Sequence, residues 1–363
     1  MPSHGWDAAV VTTSLYCDDD GKDLQDSLRQ RIDAKVLPIR GPRILKHAYR
    51  AADVIDDAVR SADVIHLHTL WHPLNSVARK ACERRGRKYA LMPHGMLDPY
   101  SLRQKRWLKK IYLATVERRN IQRASRLIFT TVHEQNAAQQ SLPWLAPGEV
   151  IALGADCPTD DSRADCIAAF TSLFPQVSNR RCLLFLGRIH QKKGIERLLR
   201  ILPQVTRKHP SSLLVIAGSG DPRYVEHIKQ LVHAGNLEQH VLFTGMLAGQ
   251  AKFGAFACAE MFLLPSSQEN FAISMAEAMH MAVPVIVSDK VNTWPFVTAA
   301  NAGFVVEEKQ IELGFSQRIN EILCDTDMAH RLGKSGKNFA LEKLTWQRAA
   351  RNMASLYHEM LLG

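Results

Sequence analysis

Two short segments hold residues whose types and spacing could do chemistry. The first, Gly187-Arg188-Ile189-His190-Gln191-Lys192-Lys193-Gly194, places Arg188 and Lys193 between an apolar run and an amphipathic stretch. Two cations beside a helix N-terminus, at the carboxyl end of a buried strand, suit a diphosphate. The guanidinium can fork onto two oxygens, while the ammonium acts as a point charge. The segment is neither a G-x-x-x-x-G-K-[ST] loop nor G-x-G-x-x-G, and on its own a solvated loop is the simpler reading. The second segment runs from Pro265 to Met279 and carries Glu269 and Glu277, eight residues apart. With Glu269 at a helix mouth and Glu277 two turns along, a rise of ~1.5 Å per residue separates them by about 12 Å. That span fits two sugar rings flanking a diphosphate held at the positive helix end. Carboxylates accept paired hydrogen bonds from vicinal hydroxyls, which accounts for the residue type. The plain alternative makes Glu269 a helix cap and Glu277 a solvated helix residue.

The elements that must position these segments alternate along the chain. Short apolar or β-branched runs at 8–13, 64–70, 88–93, 126–131 and 150–153 are followed by a second series at 183–186, 213–217, 241–244, 261–264, 283–287 and 304–306. Most are continuous, the pattern of strands buried on both faces. Amphipathic stretches at 105–122, 195–208, 223–234, 311–332 and 346–361 lie between them. The alternation predicts an α/β protein with two doubly wound parallel sheets. Weak strand signal, Pro158, Pro175 and the acidic residues Asp156, Asp160, Asp161 and Asp165 place the boundary between 154 and 179. The expected domains are 1–156 and 157–363, with the last amphipathic helix assignable to either.

The 363 residues suit two domains, and 46% apolar with 23% charged residues fits a globular enzyme and excludes a disordered chain. Seven scattered cysteines, none in a C-x-x-C pair, exclude a zinc ribbon and suit a reducing cytoplasm. No apolar run approaches the ~18 residues that span a bilayer, and no leader pattern is visible, so a cytoplasmic protein is expected. The net charge of +10 is concentrated: residues 79–126 hold 15 Lys/Arg against 3 Asp/Glu. Such a stripe could meet nucleic-acid phosphates, an anionic membrane leaflet, or only water.

G-R-x4-K-G followed by E-x7-E resembles the retaining nucleotide-sugar glycosyltransferases of family 4, which have the GT-B fold: two Rossmann-like domains facing across a cleft. The resemblance continues through LLVIAGSGD (213–221), VLFTG (241–245), PVIVSD (284–289) and NTWPFVTAANAGFVV (292–306). In the first half, Met92-Pro93-His94-Gly95-Met96-Leu97-Asp98 and Lys105-Arg106-Trp107 are similar to the same family. It implies a hexosyltransferase moving a sugar from a UDP- or GDP-sugar to a glycan or lipid-linked acceptor, in exopolysaccharide, lipopolysaccharide or capsule synthesis. By the same resemblance, Gly187, Arg188 and Lys193 hold the donor diphosphate. Glu269 contacts hydroxyls of the transferred sugar with the amides of Asn270, Phe271 and Ala272, and Glu277 takes the ribose. The loop after Gly245 lies near the base, and His94 is the catalytic histidine of the first domain. The family usually has Gly where this chain has Ala272, so an altered donor preference is expected.

No H-E-x-x-H or Cys/His cluster occurs, and neither a metal nor any cofactor is expected. Retention without an obvious protein nucleophile suggests front-face substitution, with the leaving phosphate helping to deprotonate the incoming hydroxyl. The basic stripe has few aromatics and no RNP or helix-turn-helix signature, which argues against a nucleic-acid partner. The family instead implies peripheral docking on the anionic inner membrane face through Arg103, Lys105, Arg106, Lys109 and Lys110. Family members also begin with a strand, a glycine-rich turn and a helix ahead of the strand at 8–13. MPSHGWD (1–7) reads as the end of that helix. The expectation is a misplaced start or a truncated copy that is weakly active or only binds nucleotide-sugar.

Overall fold

The computed structural model describes residues 5–14, 32–38, 50–159 and 162–362. Residues 1–4, Cys17, Asp160 and Asp161, on which parts of the reading above fall, lie outside them. The chain divides into two compact units: Met1–Ile151 together with Ala349–Gly363, and Ala152–Arg348. The division thus falls a few residues before the expected boundary, and the end of the last helix belongs to the first unit. The acidic, proline-bearing stretch after it is not a linker: Arg163–Leu173 is a helix, its Cys166 and Phe170 buried in the second unit.

In the first unit, strands β1 (Ala9–Thr13) and β2 (Asp33–Leu37) form a parallel pair. Helix α1 (Ala51–Ser61) leads to β3 (Val64–His68), and α2 (Pro73–Arg85) to β4 (Lys88–Met92). Short helices α3 (Pro99–Arg103), α4 (Arg106–Tyr112) and α5 (Arg118–Gln122) precede β5 (Arg126–Phe129), and α6 (Val132–Ser141) precedes β6 (Glu149–Val150). The expected helix over 105–122 is present, with one π turn at Leu113–Glu117 where buried Glu117 accepts from Trp71 N–H at 2.8 Å and from Asn120. β3–β4–β5–β6 form a second parallel sheet, separate among the described residues from β1–β2. Strand β2 had no clear signal: Asp33 and Lys35 interrupt the apolar run, and both are exposed.

The second unit carries α7 (Arg163–Leu173) and then alternates strictly. It runs β7 (Arg181–Leu186), α8 (Ile195–Lys208), β8 (Ser212–Ala217), α9 (Pro222–Ala234), β9 (Val241–Gly245), α10 (Gly249–Ala257) and β10 (Ala259–Leu264). It continues with α11 (Ile273–His280), β11 (Val285–Ser288), α12 (Trp294–Ala300), β12 (Gly303–Val306), α13 (Ile311–Cys324), α14 (Thr326–Lys343) and α15 (Trp346–Leu362), the last crossing into the first unit. The expected single helix at 311–332 is broken because Asp325 leaves the helical conformation and its carboxylate caps Met328 N–H at 2.7 Å. All six strands are parallel, in the order β12-β11-β10-β7-β8-β9.

Burial explains why this half reads so plainly. Every residue of β8 is buried, and α8 turns Ile195, Leu198, Leu199, Leu202 and Val205 into the core at helical spacing. Each such side chain contributes roughly 1.5–3 kcal/mol. The strand order reverses between the adjacent strands β7 and β10. In an open α/β sheet, the crevice beyond their carboxyl ends is where a ligand binds. Both segments singled out above begin there.

Candidate active site

The loop after β7 is fixed against its neighbours by backbone hydrogen bonds. Gly187 N–H donates to Ala217 at 2.9 Å and Ile189 N–H to Ser219 at 2.8 Å, while Gly218 N–H donates to Gly245 at 2.8 Å. This contact is close because Gly218 and Gly220 lack side chains: a Cβ would lie 1.9 Å from the Gly187 carbonyl oxygen and 2.0 Å from that of Ile189. The sequence pattern contained both glycines, and only the register of the neighbouring loops reveals their purpose. At the other end, His190 caps a short turn by accepting from Lys192 N–H, and Gly194 has φ 71. A Cβ on Gly194 would sit 2.4 Å from the Pro265 carbonyl oxygen, so a glycine is needed on both counts.

Beyond β10, Ser267 N–H donates to the Lys192 carbonyl at 2.8 Å, and Lys192 Nζ donates to Gln268 at 3.2 Å. The two loops are therefore joined, and they bring Lys193 Nζ and Glu269 Oε2 into an ion pair. Both side chains are largely buried, 11% and 14% exposed, which leaves little water to screen the charges. Arg188, five residues before Lys193 in the same loop, is exposed, and among the described residues its guanidinium has no ion pair. Burial and then the charges of Arg188, Lys192 and Lys193 push the His190 imidazole below its usual range, reporting a locally positive loop. An open cavity of about 550 Å³ adjoins it, lined by Ile189, His190, Gln191, Asp221, Arg223, Tyr224 and His227.

One expectation is corrected here. Glu269 does not stand at a helix mouth. It lies in extended chain, bridging to Val291, with its N–H on Lys290 and its carbonyl accepting from Asn292. Helix α11 starts only at Ile273, so helical rise does not measure the Glu269–Glu277 separation. Ala272 is the residue before that helix, buried, with φ −78. An alanine fits this conformation without strain. Asn270 and Phe271 belong to the same turn, Phe271 being buried. Glu277 is not a solvated helix residue: it is buried, and accepts from Lys252 Nζ at 2.7 Å. Gly245, with φ 70 and open space around it, begins the loop that leads to Lys252.

His94 belongs to the first unit, just beyond β4. Its φ of 52 is unusual for a residue with a side chain. The following turn is pinned by buried Glu134, which accepts from Gly95 N–H and, at 2.7 Å, from Thr130 N–H. His68 Nδ1 lies 2.9 Å from His94 Nε2, and His66 stacks on His68. Burial lowers the His94 and His66 pKa values. His68, an exposed residue whose ring is stacked on both of the others, is taken down to about 4 by their desolvation of it and by the charge of His94, so all three rings are neutral at pH 7. Histidines two apart on a strand share a face, a signal in the sequence that went unread.

The basic stripe is partly consumed within its own unit. Arg84 and Arg85 pair with Asp56, and Arg79 with Glu83. Of the five residues expected at a membrane, Arg103, Lys105, Arg106 and Lys110 are exposed. Lys109 turns inward, its ammonium donating to the Ser101 carbonyl and lying 5.3 Å from the centre of the Trp71 ring. Composition alone hid the apolar partners of that patch: Trp107, Leu108 and Ile111 are 73%, 67% and 63% exposed. No described helix is long and apolar enough to cross a membrane.

A parallel sheet in this order, with charged loops at its switch point and a second Rossmann-like unit in the same chain, defines the GT-B class. The solved structures agree: HepE of Anabaena, in complex with UDP and glucose, matches 95% of this chain and 90% of its own at a TM-score of 0.77 and 19% identity. A glycosyltransferase from Rickettsia africae matches 94% and 88% at 0.73 and 17%. Two family profiles cover most of the sequence, "Glycosyl transferase 4-like domain" over residues 1–154 and "Glycosyl transferases group 1" over 174–339. The chain belongs to glycosyltransferase family 4. Among curated relatives, spore coat protein SA of Bacillus subtilis is 28% identical over 185 residues, 50% of this chain and 49% of that protein. The GDP-mannose-dependent alpha-(1-6)-phosphatidylinositol monomannoside mannosyltransferase of Mycolicibacterium smegmatis is 24% identical over 243 residues, 65% and 60%. The chain spans about half the length of the first curated relatives it matches.

Proposed function

We propose that the protein is a retaining glycosyltransferase that moves a hexose from a nucleotide-diphosphate sugar to a glycan or lipid-linked acceptor in polysaccharide assembly. The observation that carries this reading is the Lys193–Glu269 pair at the switch point, with the exposed Arg188 in the same loop as Lys193. An incoming diphosphate supplies the anion that Lys193 and Arg188 would hold. Glu269 is then released to accept hydrogen bonds from the hydroxyls of the transferred sugar. The two cations also stabilise the charge that builds on the leaving nucleotide. Glu277 takes the ribose hydroxyls, and amides of Asn270, Phe271 and Ala272 at the start of α11 complete the sugar and phosphate end. His94, held neutral, can accept or donate one hydrogen bond at the transferring sugar. No metal is assigned a role, and front-face departure of the nucleotide supplies the retention.

The relatives' names suggest which donors to offer. HepE binds UDP and glucose, and the mycobacterial relatives are GDP-mannose-dependent. A nucleotide-release assay with UDP-glucose, UDP-N-acetylglucosamine and GDP-mannose, with and without lipid-linked acceptor, tests the reading. Donor-dependent release of UDP or GDP that disappears in Glu269→Ala supports it, and no release from any donor contradicts it. The exposed Trp107, Leu108 and Ile111 amid four cations favour a peripheral site on an anionic, cytoplasmic membrane face, where a lipid-linked acceptor would be met.

A further inference from the structure

Lys252 lies outside both motifs, and yet its ammonium is the hydrogen-bond partner of Glu277, 2.7 Å from Oε1. It reaches there from the first turn of α10, beyond the open turn at Gly245, and lies 4.4 Å from the centre of its neighbour's ring, Phe253. Its side chain is 22% exposed and that of Glu277 is 9% exposed. A lysine in this position is not a surface ornament: an ordered ammonium against a nearly buried carboxylate costs desolvation on both sides.

We propose that Lys252 is a positioning residue of the nucleoside end of the donor site, holding Glu277 as an aimed carboxylate with its second oxygen available to ribose hydroxyls. The inference rests on reading Glu277 as the ribose acceptor. Its physical basis is that a carboxylate is acceptor-only and accepts from two vicinal hydroxyls more strongly than a carboxylic acid, one of whose oxygens carries a proton and donates. Burial works against this, since desolvation raises the Glu277 pKa, and Asp156 raises it further. Lys252 opposes both through its hydrogen bond and its charge, with a smaller contribution from His280, whose Nε2 is engaged with the Leu344 carbonyl. Removing the lysine therefore leaves Glu277 more easily protonated, and the damage grows as the pH falls.

The test is calorimetric titration of UDP and of GDP into the purified full chain at pH 5.5, 7.0 and 8.5, which needs no turnover. Lys252→Met should weaken binding of the preferred nucleotide about tenfold at pH 5.5 and less than threefold at pH 8.5, while Lys252→Arg stays within about threefold of wild type throughout. Lys252→Gln repeats the test if the methionine variant fails to fold. Wild-type affinity in the neutral variant at pH 5.5, tighter binding at any pH, or a loss equal at all three pH values would each overturn the proposal. Glu277→Gln separates the two levels. If it binds nucleotide as well as wild type, the ribose assignment itself is wrong. If it weakens binding tenfold while Lys252→Met does not, only the role of the lysine fails.

Discussion

The two units share an architecture and differ in how completely they bury it. In the second, β8 is buried at every residue and each inner strand has a parallel neighbour on both sides. In the first, β1 is half exposed, and β1 and β3 each pair on one side only among the described residues. A sheet buried on both faces gives rigid strand ends, and rigid strand ends hold in place the charged loops that follow them. The second unit uses that rigidity on Lys193, Glu269 and Glu277. The first unit presents neutral histidines, a pinned turn and a basic, partly apolar surface.

The largest effect should come from breaking the buried pair. Lys193→Ala and Glu269→Ala are each expected to reduce turnover at least about 100-fold, the scale of losing one preorganised charge. Because the partner charge is left in a nearly dry site, each should also lower stability by on the order of 3 kcal/mol. The double variant Lys193→Met/Glu269→Gln should regain most of the stability and none of the activity. Chemical unfolding alongside initial rates checks this, and a stable, fully active single variant would refute it.

Docking on membranes would set the first unit apart. Reversing Arg103, Lys105, Arg106 and Lys110 to glutamate should lower affinity for anionic vesicles by well over tenfold, at ~1 kcal/mol for each cation lost near the surface. Wild-type binding should fall as salt is raised. Trp107→Ala should weaken binding at every salt concentration, because its ring contributes apolar burial and no charge. Vesicle sedimentation at low and high salt decides. Binding that ignores both salt and charge reversal would leave the patch as an ordinary solvated surface.

A glycine pair tests how tightly the loops after β7 and β10 are set. Gly194→Ala forces a left-handed residue with a side chain and a clash with the Pro265 carbonyl. It should cost about 1–2 kcal/mol and roughly tenfold in turnover. Gly187→Ala meets nothing closer than Lys193 Nζ at 3.8 Å, so its fold should stand while donor KM alone changes. Thermal unfolding and donor KM measured together distinguish these outcomes.

What could be read from the sequence follows the same division. Parallel strands buried on both faces are continuous apolar runs, so all six strands of the second unit's sheet are visible in the sequence within two residues. Strand β2 is not, because a half-exposed strand admits Asp33 and Lys35 and its pattern dissolves. Residue type and spacing single out Arg188, Lys193, Glu269 and Glu277 as candidates, and the fold then shows which of them meet, as Lys193 and Glu269 do. Type and spacing do not suffice where contact across the fold decides the role. Lys252 is one cation among 46 until β9 and α10 bring it to Glu277. His68 is an ordinary strand residue until β3 and β4 align it with His94.

Acid should separate the two units by the smallest but most diagnostic effect. In the first, His66 and His94 have pKa values lowered by burial, and His68, exposed but stacked on both rings, lies at about 4 against an ordinary 6.5. The unfolded chain therefore binds protons that the fold refuses, and stability declines as the pH falls from about 6.5 toward 4. Asp56, held down to about 2 by Arg85 and Arg84, loses its pairing only below that window. In the second unit the shifted groups oppose one another. His190 is lowered, so acid weakens the fold there, whereas buried Glu277 is raised and takes up its proton more readily folded than unfolded. Hydrogen exchange at pH 7 and pH 5 should thus show protection lost first around β3, β4 and the turn after His94, with the six-stranded sheet of the second unit little changed. His68→Gln keeps a polar side chain and removes the titration, and should flatten the decline by several tenths of a kcal/mol to about 1 kcal/mol. If β7–β10 lost protection first, or if the His68→Gln profile matched wild type, the histidine column would not be what makes the first unit acid-sensitive.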